Sequence, residues 1–445
     1  MAASYAALVD TIAGDISAGR LKAGERLPPQ RQFAYEKGIA ASTAARVYAE
    51  LLRRGLVVGE VGRGTFVTGQ TPLPPLRAEP FDGRIDLEFN FPTLPDQAAL
   101  IARSLANWQQ GETLGAVLAP VTQRRLAEAG RVSADFFASD RWRPRPEDFV
   151  FAGSGRQAIA AAVSALVPVG GRLAVEAVTY PTIKGIATRL GITLVPIAMD
   201  EEGIRPDALA KAHRTAALSA VYLQPVIQNP LGCTMRQARR DELVRVVRKF
   251  DLMIIEDLVY AFLADEPPLA SVAEERTIAV DSLSKRLAPG IAVGFLHVPA
   301  QLRERLAFTV RTGTWSVTPL ALDAGMRLLA DGTAAEITRR KRADGFVRQA
   351  LVADCLAGHS IKADPRSHHA WLELPDGWRA EALTAAAARA GIAITLASAF
   401  AVAPGHSPNA VRLALGQPGH VELRNALTRL AALLAARGEE ADVTE

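Results

Sequence analysis

The spacing of apolar positions changes character along the chain. From Tyr5 to Ser17 it fits one face of a helix, and Gly19 to Pro29 (GRLKAGERLPP) is rich in turn formers. Helical spacing returns over Gln30 to Lys37 and again over Ser42 to Arg54, the latter opening on a Ser/Thr cap and stopping at Gly55. Two short β-prone runs, Leu56 to Glu60 and Gly64 to Thr68, flank Val61 to Arg63 and predict a hairpin. Between Gly69 and Glu79 the sequence GQTPLPPLRAE loses the helical period, and its three prolines predict a short, stiff linker.

Beyond the linker, compact apolar runs alternate with helix-like segments: Leu173 to Ala177, Ala220 to Leu223, Leu252 to Ile255, Thr277 to Val280 and Ala292 to His297. Such alternation predicts an α/β fold with a mostly parallel sheet and buried strands. From about Leu302 the pattern turns mostly helical, and Ala370 to Leu374 and Val411 to Leu415 suggest strands of a second, smaller α/β lobe. The expected organisation is a unit over 1–69, a linker over 70–84, and a two-lobed unit over 85–437. Its lobes fall at about 120–300 and 310–437, and a frayed acidic tail occupies 438–445.

Composition narrows the function classes. The 445 residues are 49% hydrophobic and 22% charged, which excludes disordered and collagen-like chains. Cys233 and Cys355 are the only cysteines and form no CxxC pair, so neither a disulfide framework nor a Cys-based zinc site is expected, and a reducing cytoplasm fits. No run reaches the length of a membrane span, and the Ala-rich start lacks the basic leader of a signal peptide. The net charge of +4 is unevenly spread. Residues 1–69 hold nine basic groups against six acidic ones, whereas the rest of the chain holds 42 against 41.

Three helices and a hairpin within a basic unit are the order of a winged helix-turn-helix, whose recognition helix offers its first turns to the DNA major groove. Ser42, Thr43 and Arg46 stand where they would reach bases or phosphates, Arg31 where it would hold a phosphate, and Arg63, between two glycines, where it would enter a minor groove. From composition alone, solvated charges on a small helical cap explain the same residues. The segments LKAGERLPPQRQFA, ASTAARVYAELLRRGLV and GRGTFV resemble the DNA-binding domain of GntR-type bacterial regulators, with Ala41 where family members often have Arg.

Only eight lysines are present, and Lys285 sits in TIAVDSLSKRLAPGIAVGF, directly after an apolar strand and among small hydroxyl residues. An amine that forms an imine must be partly desolvated and able to lose its proton, which Arg cannot do. Asp257 and Tyr260 follow another apolar strand in IIEDLVY, at the strand ends where α/β sheets build ligand clefts. The segments VFAGSGRQAI, VTYPTIKGIA, QNPLGC, IIEDLVYAFL and SLSKRLAPG resemble, in order and spacing, the fold type I pyridoxal phosphate enzymes of the aspartate aminotransferase superfamily. Joined to the N-terminal unit, the chain resembles a MocR-type transcriptional regulator.

That resemblance implies roles residue by residue. Lys285 would hold pyridoxal phosphate as an imine, and Asp257 would keep its ring nitrogen protonated. Asn229 and Tyr260 would bond its phenolic oxygen, and Tyr180 would stack on its ring. Ser154, Gly155 and Arg156, with Ser282 and Ser284, would cradle its phosphate, and Arg412 would pair with an amino acid carboxylate. Taken singly, Lys285 reads more readily as a surface lysine with a buried stem, and Asn229 reads equally as a turn residue before Pro230, the two serines as polar strand ends, and Arg412 as a surface charge. His368 and His369, being adjacent, point to opposite faces of a strand and share no metal; no metal site is expected.

Two departures stand out. The family Arg that pairs with the phosphate, seven residues after the lysine, is Ala292, with Arg286 or Arg156 as replacements, and an expected arm aromatic is Val117 or Leu118. The resemblance therefore implies a DNA-binding, homodimeric regulator that senses an amine, an amino acid or the cofactor itself. A working aminotransferase is the alternative, kept open by Lys285, Asp257, Asn229 and Arg412.

Overall fold

The computed structural model describes residues 5–17, 20–22, 24–53, 56–60, 64–67, 84–109, 111–403 and 407–442. The chain divides into two compact units, Met1–Pro80 and Phe81–Glu445.

In the first unit, helices Tyr5–Ser17, Gln30–Glu36 and Ala41–Arg53 precede an antiparallel pair of strands, Val57–Glu60 and Gly64–Val67. Ala44, Val47, Tyr48 and Leu51 recur at helical spacing and bury against Val9, Ile12, Leu27 and Phe33. The Tyr48 hydroxyl donates to the Pro28 carbonyl, pinning the turn before the second helix to the third. The third helix begins one residue earlier than its sequence suggested. Ala41 is its first residue and the Ala40 carbonyl accepts the first bonds, from the Thr43 and Ala44 amides at 2.9 and 3.1 Å. Ser42 and Thr43 therefore lie inside the first turn rather than capping it; alanine propagates a helix well enough to move the boundary. The bend expected over Val61–Arg63, and with it Arg63, lies outside the described residues, as does 68–83, most of the expected linker.

The second unit is built on a seven-stranded sheet. Its strands lie in the order Phe149–Ala152, Gly294–His297, Thr277–Ser282, Met253–Asp257, Ala220–Leu223, Arg172–Glu176, Thr193–Ile197. Six run the same way, and Gly294–His297 runs against both its neighbours. Helix Gly155–Leu166 lies against this sheet with Ala158 through Val163 all buried. Alanines let the helix approach closely, and Gly294 completes the fit: a β-carbon there would stand 2.4 Å from the Ser154 carbonyl oxygen.

The smaller sheet has five strands, ordered Ser360–Lys362, His369–Glu373, Ala410–Ala414, Ile392–Leu396, Ile85–Leu87. Its core joins Leu87, Leu372, Ile392 and Leu413 to Leu423, Leu427 and Leu430 of helix His420–Asp442. The strands at 85–87, 149–152, 193–197, 360–362 and 392–396 are not among the runs that the sequence singles out. Ile85–Leu87 is three residues long, and Thr193–Ile197 is an edge strand interrupted by Pro196. Residues 438–442, expected to fray, continue the last helix, since Glu439, Glu440 and Ala441 are good helix formers; 443–445 lie outside the described residues. Among the described residues no helix is long and apolar enough to cross a membrane.

Candidate functional site

Strand Thr277–Ser282 is buried along its whole length and delivers the chain to a single helical turn, Leu283–Arg286. Ser282 caps that turn, its hydroxyl oxygen accepting from the Ser284 amide at 3.1 Å. The cap fixes the direction in which Lys285 leaves the backbone. Its amine donates to the Asn90 carbonyl at 2.5 Å and stands 3.5 Å from the centre of the Phe91 ring. Burial, then the positive charges of Arg412, Arg156 and Lys341, lower the Lys285 amine from its ordinary range to about 7. A lysine so placed is a nucleophile near neutral pH.

Asp257 ends the neighbouring strand and is buried. Its Oδ2 accepts from the Tyr222 hydroxyl at 2.6 Å and the Gln224 amide at 2.8 Å, and its Oδ1 from the Val259 backbone at 3.0 Å. Burial raises its carboxyl, against those bonds. Gln224 also accepts from the Asn229 backbone at 3.0 Å, so the segment carrying Asn229 is tied to Asp257. The Asn229 Oδ1 is buried without a partner. Tyr260 accepts a bond from the Asn90 side chain at 3.1 Å, and its ring centre lies 5.3 Å from that of His369. Burial pushes the hydroxyl of Tyr260 up to about 12 and raises that of Tyr180 as well.

Arg412, on strand Ala410–Ala414, is buried and donates from Nη2 to the Glu88 carbonyl at 2.7 Å and the Thr395 hydroxyl at 3.2 Å. Its Nε is buried with no partner. An unpaired guanidinium nitrogen inside a protein is costly, so this position suits an anion.

Ser154 caps helix Gly155–Leu166, accepting from the Gln157 amide at 3.3 Å, and Arg156 stands exposed in the first turn. Gly155 faces the Ser282 side chain so closely that a β-carbon would come within 2.9 Å of it. Ser154, Gly155, Ser282 and Ser284 are thus brought together at one helix start, a favourable place for a phosphate. Of the two replacements offered for the family Arg at Ala292, Arg286 is already engaged. It is buried, pairs with Asp281 at 2.8 Å and stacks among Phe136, Phe137 and Phe262. Arg156 alone of that pair is left facing outward. Val117 is buried and Leu118 is 70% exposed.

The two histidines do diverge: His368 Nε2 lies 3.2 Å from Asp344, and His369 Nε2 lies 3.0 Å from the Gln228 carbonyl. Sequence reasoning passed over Asn90, Phe91, Tyr222, Gln224, Glu176 and Lys341. Glu176 is buried, takes a bond from the Gln228 side chain at 3.1 Å, and is raised by burial to about 8. Lys341, fully buried, donates to the Lys285 and Leu287 carbonyls at 3.1 and 2.8 Å and steadies the turn that carries Lys285. A buried polar residue inside an apolar strand pattern was the available signal for Tyr222 and Glu176; Lys341, inside the charged run RRKR, and Asn90 and Phe91 gave none.

In the first unit, Arg31, Ser42 and Arg46 are exposed and Thr43 is half-buried. All four lie on the second and third helices, the pair that a helix-turn-helix uses to meet DNA.

Residues 86–430 match the family described as aminotransferase class I and II, and residues 4–67 match the bacterial regulatory proteins of the gntR family. The chain belongs to the class I and II aminotransferase family. It carries that fold behind a gntR-type helix-turn-helix domain, as a DNA-binding regulator. It is 28% identical to the HTH-type transcriptional regulator YdeF of Bacillus subtilis, over 94% of this chain and 91% of the relative. It is 26% identical to the vitamin B6 salvage pathway transcriptional repressor PtsJ of Salmonella typhimurium, over 90% and 92%. Among solved structures, an archaeal alanine:glyoxylate aminotransferase matches with a TM-score of 0.72 at 20% identity, covering 80% of this regulator and 91% of that chain. The larger unit thus has the fold type I architecture, whose cofactor is pyridoxal phosphate. The residues present fit that group: a lowered amine, a partnerless amide oxygen at Asn229, a glycine-lined helix start and a buried strand-end carboxylate stand together.

Proposed function

We propose that this regulator senses pyridoxal phosphate, or an amine or amino acid captured on it, and that occupancy of the site changes how the N-terminal unit reads DNA. The reading places the protein in the cytoplasm as a homodimer whose two helix-turn-helix units meet paired half-sites.

The observation that carries it is the Lys285 amine, held at the end of a buried strand against the Asn90 carbonyl and the Phe91 ring and lowered to about 7 by burial and by the charges of Arg412 and Arg156. Bound there, pyridoxal phosphate supplies an aldehyde that captures primary amines. Lys285 would present the neutral amine to that aldehyde and, when its nitrogen is free, would hold or return a proton. Asp257, oriented by Tyr222 and Gln224, holds its carboxylate for a protonated ring nitrogen. Asn229 and Tyr260 would serve its phenolic oxygen, Tyr180 would pack on its ring, and Ser154, Gly155, Arg156, Ser282 and Ser284 would hold its phosphate. Arg412 offers its partnerless Nε to a carboxylate. In the other unit, Arg31, Ser42, Thr43, Arg46 and Arg63 meet phosphates and bases of double-stranded DNA.

The test is the absorbance spectrum of the purified protein with added cofactor, wild type against Lys285→Ala. An imine band in the first and none in the second is expected; a band that survives the substitution sinks the assignment. The retained Lys285, Asp257 and Arg412 also favour a second reading, turnover as an aminotransferase. Conversion of the bound cofactor to its amine form by an amino acid, at ordinary enzyme rates, would promote that reading over sensing.

A further inference from the structure

Three groups proposed to recognise the ligand each bond to one stretch of four residues. Arg412 Nη2 donates to the Glu88 carbonyl at 2.7 Å. The Lys285 amine donates to the Asn90 carbonyl at 2.5 Å and lies over the Phe91 ring at 3.5 Å. The Tyr260 hydroxyl takes the Asn90 side-chain amide at 3.1 Å. Asn90 is 4% exposed and its Oδ1 has no partner, so it sits inside the site rather than at its rim. The stretch follows directly on strand Ile85–Leu87, and Asp86 Oδ1 holds its Glu88 and Phe89 amides at 2.7 and 3.0 Å. Downstream, the Thr93 amide bonds the Gly416 carbonyl at 3.1 Å and the Gln97 side chain the Leu287 carbonyl at 2.9 Å.

We propose that Glu88–Phe91 is an intramolecular clasp on Lys285 and Arg412 that is displaced when an aldehyde takes Lys285 and a carboxylate takes Arg412. This rests on the sensing function proposed above and supplies its first moving part.

The chemistry of each group makes the competition direct. When the Lys285 ammonium joins an aldehyde, it first gives one proton to solvent. Its two remaining N–H hydrogens then leave with the aldehyde oxygen as water, and nitrogen and carbon become doubly bonded. A three-donor cation becomes a nitrogen that carries one N–H only when protonated. The bond to Asn90 and the charge over Phe91 are lost together. At Arg412, a carboxylate reaching Nε gains its second bond only by taking Nη2 from the Glu88 carbonyl, because a fork of two parallel N–H donors is what Arg offers an anion. The other charges facing Lys285, those of Arg412, Arg156 and Lys341, are all positive and favour giving up its proton.

Hydrogen exchange of the amides at 88–93 in the full-length protein reads the clasp. Pyridoxal phosphate is expected to speed exchange there about tenfold, the effect of losing one charged hydrogen bond. Pyridoxine 5′-phosphate, which keeps ring and phosphate but has an alcohol in place of the aldehyde, should leave it unchanged. Lys285→Ala should loosen the same amides with no ligand present. An imine band without faster exchange overturns the clasp and leaves the sensing function standing. Loosening by Lys285→Ala with no imine band in the wild type does the reverse. Phe91→Ala, which removes the ring beside the Lys285 amine but keeps the backbone and the lysine, is the second variant: about fivefold tighter uptake of the aldehyde is expected from removing a competing cation–ring contact, and unchanged or weaker uptake counts against the clasp.

Discussion

Helices Ala41–Arg53 and Leu283–Arg286 use the same ingredients to opposite ends. Each has small hydroxyl residues at its start, Ser42 and Thr43 in one, Ser282 and Ser284 in the other, and each then presents a basic side chain, Arg46 or Lys285. Arg46 is exposed on the surface of its helix. Lys285 is largely desolvated among like charges and is lowered to about 7. One arrangement suits a partner bound by charge, with affinity spread over many screened contacts. The other suits a partner bound by covalent chemistry, where each neighbour alters the reactive atom. Residue type and environment together, rather than the small hydroxyl residues they share, set the two helices apart.

That contrast breaks most readily at the buried end. Asp257→Ala strands the Tyr222 hydroxyl and the Gln224 amide without their acceptor, and each buried donor left unpaired costs about 1–3 kcal/mol. Chemical denaturation should show a lower midpoint with an unchanged slope; an unaltered midpoint would mean water reaches this pocket freely. Next comes Glu176, raised by burial from 4.5 to about 8. The folded state then binds more protons than the unfolded one between those values, so this residue makes stability fall as pH rises through that window. Glu176→Gln should remove the fall, with a difference in slope of up to about 1.4 kcal/mol per pH unit, the value for one proton. Melting curves of both proteins at pH 5 and pH 8 check it, and parallel behaviour of the two would refute the buried charge. The smallest change is expected at the exposed end. Arg46→Ala should weaken promoter binding about tenfold and reduce the steepness of its salt dependence by about one ion, leaving the cofactor spectrum alone.

The sequence was legible wherever one physical demand dominated a stretch. Ala44, Val47, Tyr48 and Leu51 announce a helix because one face must be buried, and Ala220–Leu223 announces a strand because both faces are. Lys285, Asp257 and Arg412 were legible through the motifs around them. Strand Ile85–Leu87 was not, because its partner Ile392–Leu396 lies some 300 residues away and three residues carry no period. Asn90 was hidden for the same reason: its contacts to Tyr260 and Lys285 span 170 and 195 residues. The engagement of Arg286 with Asp281 and three phenylalanines likewise depends on what the folded chain brings near it.

Ile85–Leu87 has a practical consequence for anyone trimming the chain. It pairs in parallel with Ile392–Leu396 and forms the outer edge of the smaller sheet, with Leu87 fully buried in its core. A shortened protein that begins after Leu87 would uncover the backbone donors and acceptors of Ile392–Leu396 along an apolar strand, a template on which further chains assemble. Beginning at or before Arg84 keeps that edge covered, so the two versions should separate in a sedimentation experiment as aggregate and discrete particle.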